Sequence, residues 1–372
     1  MEDRHVLRLV AVFEGSRLSS ACWFLWLDRK MLVDKSRKMR ASRCWQLLLS
    51  ALALVSSCAV RGIEAQPTIE LPPPLQWNFY QNSCPDVEKY VRNQVESSWK
   101  QDRTLAAKFM QLLYTDCFIK GCDASVLLDG PDSEKTAPQN AAILGLPLEV
   151  IDKVKEVLEQ HCPGVVSCAD IINLAARDAV ILAGGVSYPV PTGRRDGNSS
   201  IAKLVDIALH AVRWEQVIHY FQIRGMDLLD VTTLLGGHTL GKTTCKFISD
   251  RLYNFNNTGQ PDPSMDPTFL SELREQCPPN STNMVYLNPD SGPSYTFSKT
   301  FYSRVLNHRA VLGIDQQIVA QDESLQIAKR YDANYEDFLK MFGYSMTKLG
   351  NTWLLPGDQG EIRKNCRVVN WK

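Results

Sequence analysis

Strand-like alternation of apolar and polar residues is scarce in this 372-residue chain, which has no internal repeat and no low-complexity tract. Those absences argue against sandwiches, barrels, solenoids and disordered arrays. Charge of one sign is not in surplus: 41 Lys and Arg balance 41 Asp and Glu. Without residues 1–65 the remainder holds 30 basic and 35 acidic residues, a net −5. Nothing in that balance suggests nucleic-acid binding. The longest apolar run, Cys44 to Val60, covers 17 residues, the short limit for a membrane span. Paired C-x-x-C units, a common mark of zinc, do not occur.

What is there begins with ordinary globular composition, 44% hydrophobic and 22% charged, and length for a large core in one or two domains. Arg40 and Arg43 precede the apolar run, and the small residues Ser57, Ala59 and Ala65 sit at or beyond its end. That pattern reads as a secretory signal over residues 39–65, with Met39 as a natural start. Residues 1–38 read as an upstream extension. It is either untranslated or turns the signal into an uncleaved membrane anchor, and cleavage is the expectation. Of eleven cysteines, Cys22, Cys44 and Cys58 fall in this leader. The other eight are Cys84, Cys117, Cys122, Cys162, Cys168, Cys245, Cys277 and Cys366. An even number behind a signal peptide reads as four disulfides in an oxidising compartment. Sequons at Asn198, Asn256 and Asn280 fit a secreted glycoprotein.

Residues 66–76 are proline-rich and read as a loose arm; residues 77–372 read as the folded domain. Val87, Tyr90, Val91 and Val95 recur at helical spacing, and Leu148, Ile151, Val154 and Leu158 form a second stripe. Leu105 to Tyr114 is strongly apolar. Cys168 to Ala183 is an apolar helix closed by Gly184 and Gly185. Further helices are expected at 214–223, 229–237, 241–253, 267–276, 298–308 and 333–349. The fold class is all-α, about ten helices with long loops. Loops of that length need staples, which disulfides and a bound ion would supply.

Two segments carry chemistry. Asp116 to Ser125 packs two cysteines five apart, two carboxylates and a serine into ten residues. That is a tight disulfide loop and an oxygen cage for a hard cation. His238 stands in Leu234-Leu235-Gly236-Gly237-His238-Thr239-Leu240-Gly241. It reads either as a core histidine bonded to a carbonyl or as an axial haem ligand, whose glycines would let a flat macrocycle approach. An iron-bound histidine donates its other nitrogen to a carboxylate, and Asp315 is the candidate.

Several long motifs, in order, resemble the secretory (class III) plant haem peroxidases over residues 77–372. They are FYxxSCP from Phe79, DCFxxGCDASVLL from Asp116, CPGVVSCADI from Cys162, GRRD from Gly193, HTLG from His238, the pair at Asp315–Gln316, and GNxxxLPGDQGEIRKNCR from Gly350. The resemblance implies a two-lobed helical fold around a buried haem b, with His238 on the iron and Asp315 as its partner. It implies disulfides Cys84–Cys162, Cys117–Cys122, Cys168–Cys366 and Cys245–Cys277, and a buried Asp170–Arg194 pair. It implies a distal Ca2+ site at Asp116, Ile119, Gly121, Asp123 and Ser125, with Glu134 and Asn140 linking it to the distal pocket. A second, proximal Ca2+ site maps onto Thr239, Asn288, Ser291 and Ser298 and is eroded, because two family aspartates become Asn288 and Ser298; Asp290 is a compensating candidate. Hydrogen peroxide and small phenolic donors are the implied substrates, and a monomeric protein of the cell wall, apoplast or vacuole is expected.

The departures are on the distal side. Thr115 stands where the family has its catalytic histidine and Gln111 where it has its arginine. Neither a hydroxyl nor a neutral amide replaces a base or a cation at neutral pH. Tyr114 takes the place of a phenylalanine, and Ile207-Ala208-Leu209-His210 that of the proline-rich substrate mouth. Lys108 and Thr104 stand at haem-propionate positions. The competing readings are therefore a slow or unusual peroxidase, a non-catalytic haem- or ligand-binding wall glycoprotein, and a structural glycoprotein without haem.

Overall fold

Val87, Val91 and Val95 lie one helical turn apart and are buried. In the computed structural model, which describes residues 70–205 and 213–370, they form the inner face of α1 (Val87–Gln101). The apolar α2 (Leu105–Ile119) follows after a short turn. α3 (Leu146–His161) buries the stripe of Leu148, Ile151, Val154 and Leu158. α4 (Cys168–Leu182) buries every residue from Cys168 to Val180, as a helix does when it is enclosed on all sides. α1, α2 and α3 all pack on it.

The second half contains α5 (Trp214–Gln222), α6 (Leu228–Leu235), α7 (Cys245–Tyr253), α8 (Pro267–Gln276), α9 (Thr300–Leu306), α10 (Gly313–Gln316), α11 (Asp322–Ala333) and α12 (Tyr335–Gly350). α12 packs on α6 and α11 and also reaches α2 of the first half. Tyr302, Tyr331, Phe338 and Phe342 form an aromatic cluster with successive centroids 5.1–5.7 Å apart in tilted or edge-on arrangements, the geometry that ring quadrupoles favour. The fold is all-α, with twelve α-helices and one two-stranded sheet among the described residues.

That sheet corrects one expectation. The helix expected over 241–253 begins only at Cys245; Lys242–Thr244 is instead strand β1, antiparallel to β2 (Met284–Tyr286) with Thr243 opposite Val285. Gly241 at φ +98° and the β-branched Thr243 and Thr244 favour the strand. α11 is an addition to the expected helices. Its surface is mostly polar, and it buries only Ser324, Ala328 and Tyr331, so its apolar stripe is thin. The end of the proline-rich arm is docked rather than loose: Leu75 is buried, and Gln76 and Thr192 exchange backbone hydrogen bonds at 2.9 and 3.1 Å. The expected leader (residues 1–65 and their cysteines) and the mouth at 207–210 lie outside the described residues. Among the described residues no helix is long and apolar enough to cross a membrane.

The four disulfides are Cys84–Cys162, Cys117–Cys122, Cys168–Cys366 and Cys245–Cys277, the pairing the resemblance implied. Cys168–Cys366 closes 198 residues and fastens the C-terminal segment to the start of α4. Beside it Asp196 accepts from the N–H groups of Cys168, Ala169 and Arg363 at 2.9–3.1 Å, satisfying donors that a helix start leaves open. Asp170, one turn in, binds Arg194 Nη1 at 2.7 Å and accepts from Tyr80 Oη and Gly193 N, both at 2.7 Å. Arg194 also donates to the carbonyls of Pro191 and Gly350, tying α4 to the end of α12. Both charges are fully desolvated, so removing one leaves the other uncompensated. Arg194→Leu is expected to cost about 3–5 kcal/mol. Urea unfolding followed by circular dichroism reads this as a lowered midpoint; an unmoved midpoint would contradict the role given to the pair.

Candidate active site

α6 starts with a reciprocal cap, in which Asp227 and Asp230 each accept the other's backbone N–H at 3.0 Å. It runs into a tight turn, Gly236–Thr239, that presents His238. Position 236 must be glycine, because a Cβ there would strike the ring of Phe338 and the hydroxyl of Tyr302. Gly236 therefore serves packing from behind, which corrects the reading that both glycines clear a path for a macrocycle. A Cβ at Gly237 would meet only ordinary contacts, with Phe342 and with Met110 of α2 at 3.8 Å. One at Gly241 would lie 3.5 Å from Ala107. The His238 turn thus faces α2.

His238 donates from Nδ1 to Asp315 Oδ1 at 2.8 Å, and its side chain keeps 33% of its surface exposed. Burial disfavours the charged ring, yet the Asp315 carboxylate and the hydrogen bond outweigh it, and the pKa is raised. With Nδ1 engaged, Nε2 is the nitrogen available to a metal. The bland alternative, a histidine satisfied by a carbonyl, is not what the structure has. Asp315 is buried on α10, held by its motif neighbour Gln316 and by Arg251, which no sequence motif marks. Arg251 donates from Nη1 to the carbonyls of Ala310 and Val311, both at 2.8 Å, and from Nε to Asp262 at 2.8 Å. Gln316 closes the same bend by donating to Val305 O at 3.1 Å. A buried arginine in a helix with no nearby motif gives little signal in a single sequence.

Across from this turn, Ala107, Gln111 and Tyr114 form a half-buried line on α2, and Thr115 is buried. Gln111 and Thr115 are one turn apart and share a face. Asn140 is buried and donates to Glu134 O at 2.9 Å. No hydrogen bond joins it to Thr115 among the described residues. Lys108, expected near a propionate, pairs with Asp102 at 3.2 Å. A partly exposed pair of this kind is weakly held.

The α2 helix ends in the oxygen-rich loop. Gly121, at φ +103°, abuts the carbonyl of Trp353, so no side chain fits there. The Cys117–Cys122 bridge closes the turn. Asp123 Oδ1 accepts from Ser125 N at 2.9 Å, and Gly121 O accepts from Asp123 N at 2.8 Å. Both carboxylate oxygens of Asp116, the Ser125 hydroxyl and both carboxylate oxygens of Glu134 are buried without a hydrogen-bond partner. Such groups cost several kcal/mol each unless something compensates them. Burial, then the charges of Asp123 and Glu134, push Asp116 well above the usual carboxylate range. Burial lifts Glu134 to about 7 even with Ser125 beside it. Among the described residues no three His, Cys, Asp or Glu side chains cluster as a metal site. The donors here are two carboxylates, a hydroxyl and carbonyls, an all-oxygen set that fits Ca2+ rather than zinc.

Thr239, Asn288, Ser291 and Ser298 also come together, but as partners of one another. Asp290 does not join them: its carboxylate is half exposed and reaches Arg304 at 3.4 Å.

Comparison with known proteins agrees with this arrangement. The family model for peroxidase matches residues 91–334. Probable peroxidase 26 of Arabidopsis thaliana is 52% identical over 303 residues, 80% of this chain and 90% of that protein. Probable peroxidase 61 of the same plant is 49% identical over 329 residues, 87% of this chain and 96% of its own. A peroxidase of Armoracia rusticana is 39% identical over 302 residues, 78% and 90% of the two chains. Matches of this length and identity, over a helical fold with the four expected disulfides, place the chain in the class III plant peroxidase family.

Proposed function

We propose that this protein is a secreted haem peroxidase that reduces H2O2 with small phenolic donors and is slow at the peroxide step. In the overall reaction, H2O2 and two donor molecules AH give two waters and two A radicals. The observation that carries the reading is the His238–Asp315 couple at 2.8 Å, on a turn that faces α2. Haem, when bound, would supply the redox centre that accepts oxidation from peroxide and passes it to donors one electron at a time. His238 would hold the iron through Nε2. Asp315, accepting from Nδ1, gives the ring imidazolate character and makes it a stronger donor.

On the other side the chain supplies little. A distal group must take a proton from H2O2 and return it to the departing oxygen, and Thr115 has no basic site near neutral pH. Gln111 can donate a hydrogen bond but brings no charge to the breaking O–O bond. Lost acid–base catalysis costs about 10²–10⁴-fold and a lost electrostatic donor about 10²–10³-fold, without simple multiplication. A second reading, a haem- or ligand-binding wall glycoprotein without turnover, is favoured by one observation. Asn140, which the family uses to orient the distal histidine, makes no hydrogen bond to Thr115 among the described residues.

Ca2+ at Asp116, Asp123 and Ser125, with carbonyls of Ile119 and Gly121, is supported by the unpartnered buried oxygens there. Secretion is supported by four disulfides and by the exposure of all three sequon asparagines, Asn198, Asn256 and Asn280. A monomer in the cell wall, apoplast or vacuole fits these features.

Thr115→His combined with Gln111→Arg should raise the rate of reaction with H2O2 by about 10²-fold or more, measured by stopped-flow absorbance of the haem-loaded protein. A double variant that binds haem yet gains nothing would mean that the pocket is disabled elsewhere. Chelation should lower the melting temperature by several degrees, because the buried charges of Asp116, Asp123 and Glu134 then repel one another without a bound cation; an unchanged melting temperature after verified Ca2+ removal would refute the distal loop's role.

A further inference from the structure

The residues matching the family's proximal Ca2+ site do not fit a cation in this chain. Asn288 is buried, and its amide nitrogen lies 3.2 Å from Thr239 Oγ1, 3.1 Å from Ser291 Oγ and 3.2 Å from Thr300 Oγ1. Its orientation is fixed from the other end, where Oδ1 accepts from the backbone N–H of Asp290 at 3.3 Å and from Thr300 Oγ1 at 3.3 Å. A backbone N–H can face only an acceptor, so the two amide N–H groups must point toward the hydroxyl side and share the three oxygens there. Around this centre Thr239 Oγ1 accepts from Ser298 N at 3.1 Å, and Ser298 Oγ lies 2.8 Å from Thr300 Oγ1.

The contrast with the distal loop is chemical. There, five buried oxygens on Asp116, Ser125 and Glu134 have no partner. Here, no side-chain atom of Thr239, Asn288, Ser291, Ser298 or Thr300 is both buried and unpaired. Ca2+ takes six to eight oxygens, usually with carboxylates among them. This centre offers neutral hydroxyls already occupied by a donor, and its one acid, Asp290, is turned toward Arg304.

We propose that the Asn288 amide replaces a divalent cation, so that a metal-free hydrogen-bond clamp ties the residue after His238 to the loop 288–300. Its N–H dipoles occupy the oxygens a cation would need, which makes the proximal side independent of Ca2+. The loop continues to Phe297, whose N–H donates to Ala183 O at 2.8 Å, so the clamp also links the His238 turn to the end of α4.

Hydrogen exchange by mass spectrometry on the full haem-loaded chain, in chelator and in excess Ca2+, tests this and separates the two loops. Peptides covering 286–300 should exchange equally in both conditions, while those covering 116–134 slow down with Ca2+. Asn288→Asp together with Ser298→Asp removes the amide donor and adds two carboxylates. That variant should make 286–300 respond, by about tenfold in protection when Ca2+ is about ten times its Kd. Asn288→Ala should speed exchange in 286–300 equally with and without Ca2+. Slower exchange of 286–300 with Ca2+ in the unmodified chain would overturn the proposal, and so would a folded double variant that stays unresponsive. If the double variant does not fold, the unmodified chain decides. A silent 116–134 would count against the distal Ca2+ reading alone.

Discussion

The hydrogen bond from His238 to Asp315 joins residues 77 positions apart, and much of the second half of the fold serves to keep it. From one side the ring of Phe338 and the hydroxyl of Tyr302 lie close against Gly236, so the histidine turn cannot carry a side chain there. From the other, Arg251 grips the carbonyls of Ala310 and Val311 just ahead of Asp315. Neither constraint touches the imidazole, yet both decide whether a carboxylate sits at 2.8 Å from Nδ1. A ring fixed in this way exposes one nitrogen and carries extra basicity, which is what an iron ligand needs.

Buried carboxylates divide the molecule into parts that balance internally and one that does not. Asp170 has Arg194, Asp196 has three N–H groups, and Asp315 has His238. Asp116 has no partner, and burial raises its pKa in consequence. An external cation is the natural resolution there. At the proximal loop the chain has taken the opposite course, exchanging charge for an amide that satisfies its neighbours directly. Each solution holds one end of the site: the distal loop follows α2, and the Asn288 clamp holds the residue after His238.

How much of this is legible in sequence follows the range of the interactions. Short-range patterns are readable: the valine stripe of α1, the stripe of α3 and the closed loop at Cys117–Cys122. The motif resemblance carries the long disulfides, such as Cys168–Cys366, which no local pattern indicates. β1 is only three residues long and runs straight into α7, so its β-branched threonines give too short a signal, and their partner strand lies some forty residues on. α11 escapes notice because it buries few apolar residues. At the site, the contact between His238 and Asp315 is expected and is present, and the acids of the distal loop lie close enough for their charges to act on one another. Arg251 and the amide role of Asn288 give no warning, because the first acts through backbone carbonyls and the second depends on which way one side chain is turned. The expectation that Thr115 and Gln111 stand at the distal positions comes from the motif resemblance, because neither residue stands out in any local pattern.

The proposed function sets a competent proximal side against an impaired distal one. The most direct test is to load the chain from Gln66 onward with haem and Ca2+ and follow its Soret band after mixing with H2O2. A well-formed band that changes only slowly would match the structure. No retained haem band would contradict the role of His238 and Asp315. A response near the diffusional ceiling of about 10⁸ M⁻¹s⁻¹ would contradict the claim that Thr115 and Gln111 leave peroxide without a working acid–base partner.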